Sequence, residues 1–226
     1  MPYIIVTGYH SKGNEKEKSD FFNVWWDNTI NTTKANPPQE IYVINSGGKF
    51  IGKKRGKWVD FSQNLGHVVD LINNKVDGLC GWTMSTIIGA LIAYSENCDM
   101  VYKEQDCLAF GDWANELGST LVGDIMLSTG FNKSLLPFKI EQSLFAIKHE
   151  FLLDYVRLYL SFKEGDGQLL PELKWQQIID EMLPGKCADF GFGYGRERPI
   201  NYDDKTFYAQ QLTKEELCEL KKRKLI

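Results

Sequence analysis

The chain has 226 residues, 43% of them apolar, which is enough for one substantial hydrophobic core and short for two independent ones. Its formal net charge of -4 argues against a protein that lives on nucleic acid or anionic lipid, because either surface demands a basic face to neutralise phosphates. Five scattered cysteines without a Cys-x-x-Cys pair, and three histidines (His10, His67 and His149) far apart in sequence, give no zinc or redox spacing, so reduced thiols are expected and zinc hydrolysis is not.

Tyr3-Ile4-Ile5-Val6-Thr7 is a continuous apolar run of the kind that fills a buried parallel strand, and turn chemistry begins at Gly8. The same opening has neither a basic region nor a long apolar stretch, so no targeting signal is read from it and a soluble, cytoplasmic protein is expected. Ser19 and Asp20 predict the cap of a helix through Phe21, Phe22, Val24, Trp25 and Trp26, ending before the turn cluster at 31–38. Ile41-Tyr42-Val43-Ile44 repeats the strand pattern and stops at Asn45-Ser46-Gly47-Gly48, so the chain opens as β-α-β. Lys53, Lys54, Arg55 and Lys57 follow as a basic run, read as a solvated loop or a contact for an anionic acceptor or a membrane surface.

Ile87, Ile88, Leu91 and Ile92 stand at helical spacing with small Gly89, Ala90 and Ala93 between them, which predicts a helix over 82–94 packed closely on a sheet. Asp99-Met100-Val101-Tyr102-Lys103 reads as the next strand, with Glu104-Gln105-Asp106 at its carboxyl end. Strand-like runs near 138–140 and 143–147 precede a helix over about 149–160. Pro171 suits the first turn of another helix, with Trp175, Ile178, Ile179 and Met182 as its apolar stripe, and Thr213 with Glu216 forms a capping box for a charged terminal helix. Together these predict an α/β fold, a sandwich around a mostly parallel sheet in one domain over 1–226, with ligands bound beyond the carboxyl ends of the strands.

Glu104-Gln105-Asp106 is the most informative tripeptide, because a strand edge places alternate side chains on one side and lets both carboxylates converge on one cation. Hard oxygen ligands suit magnesium or manganese, Mg2+ or Mn2+, which bridge the oxygens of a diphosphate. A solvated acidic turn is the competing reading. Gly191-Phe192-Gly193-Tyr194-Gly195-Arg196-Glu197-Arg198-Pro199 is the second unusual stretch, a glycine-rich loop followed by two arginines. It is not a dinucleotide fingerprint, which needs a strand before it and a helix after it. Arg196 and Arg198 either clamp a diphosphate or pair with Glu197, Asp203 or Asp204.

The order of Asn64-Leu65-Gly66-His67, a buried helix, the strand at 99–103 and Glu104-Gln105-Asp106 resembles that of GT-A-type glycosyltransferases. In that family an Asn-x-Gly loop precedes a helix, and the next strand ends in an Asp-x-Asp motif that holds the metal and the phosphates of the sugar nucleotide. Glu104 replaces the first Asp, keeping charge and oxygen ligand. The resemblance implies a nucleotide-sugar-binding half over 1–110 and an acceptor and catalytic half over 111–226. It implies Thr7, Gly8 and Tyr9 against the nucleoside, with Tyr9 stacking on the base or else covering core, and Asn64, Gly66 and Gln105 shaping the same pocket. Asp70 either reaches a ribose hydroxyl or lies on a helix surface. An inverting enzyme further needs a carboxylate base, for which Glu172 at a helix start is chosen over Asp166, although a Glu there also complements the helix dipole. The expected partners are a nucleotide-diphosphate sugar and a carbohydrate or other hydroxyl acceptor. Two alternatives stay open: a nucleotidyltransferase acting on sugar phosphates, whose phosphate loop Gly8-Tyr9-His10-Ser11-Lys12-Gly13 resembles only faintly, and a non-catalytic transferase-like binding module.

Overall fold

The opening apolar run forms β1 (Tyr3–Tyr9), which pairs in parallel with β2 (Glu40–Ser46) on one side and β4 (Asp99–Lys103) on the other. The structure, a computed structural model, describes residues 2–11, 13–63, 81–131, 139–161 and 171–226. Beyond β2 lies the edge strand β3 (Lys57–Phe61), whose half-exposed side chains carry no continuous apolar signal and of which only Lys57 belongs to the basic run. On the far side β4 meets β7 (Ile140–Ile147), then β6 (Leu127–Phe131) and β8 (Cys187–Asp189), giving the order β3-β2-β1-β4-β7-β6-β8. Only β7 runs antiparallel to its neighbours, so its first residues lie beside the carboxyl end of β4. A small second sheet joins β5 (Cys107–Phe110), β10 (Phe207–Gln210) and β9 (Tyr194–Gly195) in the order β5-β10-β9.

Both faces of the large sheet are covered. On one face α2 (Gly81–Ser95), α4 (Leu152–Ser161) and α5 (Pro171–Met182) bury Ile87, Ala90, Tyr155, Tyr159, Trp175 and Ile178 against Ile4, Val6, Tyr102 and Phe145. Gly89 lets α2 approach β1 closely: a Cβ there would sit 2.5 Å from a methyl of Val6. On the other face α1 (Glu15–Thr32), α3 (Trp113–Thr120) and the small sheet bury Phe22, Trp25, Trp113 and Leu117 against Ile5, Tyr9, Val43 and Leu144. The α/β sandwich with a mostly parallel sheet is therefore as the alternation of patterns predicts.

Several boundaries moved. The first helix starts at Glu15 with Asn14 as its N-cap residue, and Glu15 and Glu17 complement the dipole in its first turn. Ser19 is inside the helix, its hydroxyl turned back to the Glu15 carbonyl at 2.6 Å. Of the two runs read as separate strands, residues 140–147 form one strand with a register break opposite Thr129 and Gly130. The helix after it begins with a short 3-10 turn (His149–Phe151). Thr213 and Glu216 do form a capping box, at the start of α6 (Lys214–Lys222).

Candidate functional site

Glu104, Gln105 and Asp106 do not extend β4. They form the turn that joins β4 to β5, closed by the Cys107 amide donating to the Glu104 carbonyl at 3.0 Å. Strand alternation is therefore not what unites the two carboxylates; the turn does it. The partner that shows their convergence is Gln210, the last residue of β10, placed opposite Cys107 by the antiparallel pairing of β10 with β5. Gln210 Nε2 donates to Glu104 Oε2 and also to Asp106 Oδ1 at 3.3 Å. Gln105 faces elsewhere: its side chain accepts from the His10 amide at 3.1 Å and donates to the His10 carbonyl at 3.4 Å. With His10 Nδ1 3.0 Å from the Ser46 carbonyl, the exits of β1, β2 and β4 are tied together at one end of the sheet.

The second half of the chain delivers three more charges to the same place. Glu104 donates its amide to the Ser143 carbonyl at 2.8 Å, inside the stretch of β7 where the register breaks. Glu141, at the start of that stretch, is buried. Arg196 bridges it, with Nη2 3.3 Å from Glu141 Oε2 and Nη1 3.0 Å from Glu172 Oε1 in the first turn of α5. Gly195 makes this approach feasible: its φ is 55°, and a Cβ would lie 3.0 Å from the Glu141 carboxyl carbon.

Glu104 feels the charges of Asp106, Glu172 and Glu141, Glu141 feels that of Glu172, and Arg196 is the guanidinium among them. Burial pushes the Glu104 carboxyl well above the usual carboxylate range, Asp106 and Glu172 push it further, and Arg196 opposes them. Burial also raises Asp106, against the Gln210 hydrogen bond, Lys18 and Arg196. Glu141 is raised by burial against Arg196. A buried group of like charges with too few counter-charges is costly to a merely structural fold and typical of a functional site. Among the described residues, no three His, Cys, Asp or Glu side chains are arranged to hold a metal ion. Glu104 and Asp106 nonetheless fit magnesium or manganese, which take one or two carboxylates and complete their shell with water and phosphate oxygens. The Gln210 amide already places a positive dipole between the two carboxylates, while its Oε1 is buried without a partner.

Among solved structures, this architecture matches a glycosyltransferase involved in glycosylation of the major capsid of PBCV-1, with a TM-score of 0.54 and 9% identity over 100% of both chains. The fold is GT-A-like. Also similar are the glycosyltransferase GlyE of Streptococcus pneumoniae TIGR4 (TM-score 0.49, 11% identity, 83% of this chain and 44% of that one) and the inositol-1-phosphate CTP transferase of T. maritima (TM-score 0.46, 10% identity, 100% of this chain and 94% of that one). No family model and no curated protein matches the sequence.

Within this GT-A-like fold the remaining residues singled out by sequence fall in different places. Tyr9 covers core: it is 1% exposed, packs edge-on against Phe22, Phe50 and Trp58, and shares a 3.1 Å hydrogen bond with Ser19. Its ring is thus committed to packing, and base stacking by Tyr9 is set aside. Thr7 is fully buried. Gly8 makes room for α2, since a Cβ would meet Ser85 Oγ at 3.0 Å and the Tyr102 hydroxyl at 3.2 Å. Arg198 does not reach for a diphosphate; it pairs with Glu216 and donates to the carbonyls of Gly195, Glu197 and Gln210. That set of bonds clamps the glycine-rich loop and β10 to α6. The carboxylates that the two arginines meet are Glu141 and Glu172 for Arg196 and Glu216 for Arg198. Asn64, Gly66, His67, Asp70 and Asp166 lie outside the described residues. Glu141 and Gln210 are the residues that sequence reasoning missed: Glu141 stands beside Gln142 and Ser143 near the start of β7, and Gln210 closes the short strand β10.

Proposed function

We propose that the chain is a metal-dependent glycosyltransferase that moves a sugar from a nucleotide-diphosphate donor to a hydroxyl acceptor. One observation carries the reading: Glu104 and Asp106, at the carboxyl end of a central strand in a GT-A-like fold, converge on a single amide nitrogen beside further carboxylates. Glu104 and Asp106 would hold Mn2+ or Mg2+. When bound, the cation supplies charge stabilisation for the leaving diphosphate.

The chain's own groups account for the other needs. Arg196 holds Glu172 in place by an ion pair, and in this reading Glu172 takes the proton of the acceptor hydroxyl. Arg196 also offers its planar fork to a diphosphate, and Glu141, which shares it, keeps the guanidinium in place during the exchange. Gln105 ties the acidic turn to the exit of β1, so that the donor pocket and the metal ligands move as one piece. Among the described residues Cys98, Cys107, Cys187 and Cys218 are unbridged, and no helix is long and apolar enough to cross a membrane.

Thermal melting with manganese and a panel of nucleotides tests the reading, because a ligand that binds only the folded state raises the melting temperature. Stabilisation by a nucleoside diphosphate that requires Mn2+ is expected. Stabilisation by nucleoside triphosphates alone would point to nucleotidyl transfer instead, and no nucleotide effect at all would leave a binding module.

A further inference from the structure

The amide of Gln210 faces the acidic pair with the wrong end for a cation and the right end for two bare carboxylates. Its Nε2 donates to both Glu104 and Asp106, whereas its Oε1 is enclosed in a side chain only 6% exposed and has no hydrogen-bond partner. An orphaned carbonyl oxygen beside a cation-seeking pair is a group whose binding capacity is unspent. The amide plane is nearly symmetric in shape, so a half turn about its last side-chain bond exchanges nitrogen for oxygen within the same volume. The backbone of Gln210 is held meanwhile by β10 pairing with β5, and its carbonyl by Arg198 Nη2 at 3.0 Å.

Resting on the metal-dependent reading above, we propose that Gln210 is a two-position ligand. Without a cation its amide nitrogen cross-links Glu104 and Asp106 and limits their repulsion. With a divalent cation between them the amide turns, and Oε1 becomes the third protein oxygen on the ion. Gln210 then supplies the ligand that no third His, Cys, Asp or Glu among the described residues supplies. The consequence is an empty site that does not spring apart and a filled site that is more selective for hard, oxygen-loving ions.

The test is Mn2+ binding to the purified full chain, followed through loss of the free-ion electron paramagnetic resonance signal, for the wild type and for Gln210→Leu, Gln210→Glu and Asp106→Asn. Gln210→Leu removes both ends of the amide and is expected to weaken Mn2+ binding by roughly tenfold or more, the scale on which supporting groups tune metal sites. Gln210→Glu keeps an oxygen ligand and is expected to bind at least as tightly as the wild type, and Asp106→Asn to bind none. If Gln210→Leu binds Mn2+ as tightly as the wild type, or more tightly, the amide is a plug or a bystander and the two-position ligand is wrong while the metal site stands. If the wild type with nucleoside diphosphate present removes no more of the free Mn2+ signal than the nucleotide alone does, the metal reading fails and this inference with it. Retention of binding in Gln210→Glu certifies that position 210 tolerates replacement without loss of the fold, so weak binding by Gln210→Leu reports the lost oxygen.

Discussion

Lys103 and Glu104 are consecutive in the chain, the first fully buried and the second partly, yet the fold treats them in opposite ways. Lys103 is fully buried on the α1 side, where its ammonium donates to Asn28 Oδ1 at 2.9 Å and Thr29 Oγ1 at 2.7 Å and lies 5.0 Å from the Trp25 ring and 5.7 Å from the Trp113 ring. Every partner is neutral, and burial pushes its pKa down to about 7. Asn28 also exchanges two hydrogen bonds with the Ala109 backbone, so this network fastens α1 to β5 just beyond the acidic turn. Glu104 instead faces other carboxylates with Arg196 and the Gln210 amide to offset them. The difference separates two uses of a buried charge. One is surrounded by groups that complete it; the other is left in want of a ligand.

The largest effect is expected from breaking the bridge on the Glu104 side. Arg196→Met leaves Glu141 and Glu172 buried without their counter-ion and should cost roughly 3–5 kcal/mol in chemical denaturation, the range for removing one partner of a buried pair. A double replacement that adds Glu141→Gln should recover part of that loss, since the uncompensated charge goes with it. Asp106→Asn acts in the reverse direction. It removes one of the repelling charges, so the metal-free protein should melt roughly 2–4 °C higher, the shift that about 1 kcal/mol gives in a chain of this size, while any stabilisation by Mn2+ disappears.

Proton linkage sharpens the same contrast. For Glu104 and Asp106 the folded state holds protons more tightly than the unfolded chain, so their contribution to stability is complete below the ordinary carboxylate range and is lost as pH rises through their raised values. A cation needs both ionised, so Mn2+ affinity should rise with pH over that window and binding should release protons, measurable by calorimetry in two buffers. For Lys103 the sign is opposite. Between about 7 and its ordinary 10.5 the unfolded chain carries a proton that the folded one lacks, so stability rises with pH across that window. Lys103→Met should flatten this slope and change stability little at neutral pH, because Asn28 Oδ1 keeps the Ala109 amide and the Thr29 hydroxyl keeps the Trp25 carbonyl. Tyr9→Phe loses one buried hydrogen bond to Ser19 worth about 1 kcal/mol, and its effect on nucleotide affinity should be the smallest of all, none.

The elements legible in the sequence were those whose residues speak for themselves. β1, β2, β4 and α2 carry apolar patterns that mark β4 and α2 to within a residue, while β1 and β2 run two residues into the turn chemistry that begins at Gly8 and Asn45. The unread strands are short or half exposed: β3 shows no clean alternation, and β5 and β10, four residues each, exist because they pair with one another across about a hundred residues. The site divided along the same line. Glu104 and Asp106 are neighbours in sequence and could be paired from it, although a turn and not strand alternation brings them together. Glu141, Glu172, Arg196 and Gln210 meet only through the antiparallel insertion of β7 and the return of β10, which no local pattern encodes. Tyr9 and Arg198 have the chemistry of ligand-binding residues, and the fold spends both on its own packing.

Isothermal calorimetry of a nucleoside diphosphate, titrated with and without Mn2+ into the wild type and Asp106→Asn, bears most directly on the claim that two acidic side chains of one turn share a cation with the donor. Binding by the wild type only in the presence of Mn2+, and none by the variant under either condition, is the expected outcome. Equal affinity with and without the metal, or undiminished binding by Asp106→Asn, would contradict it.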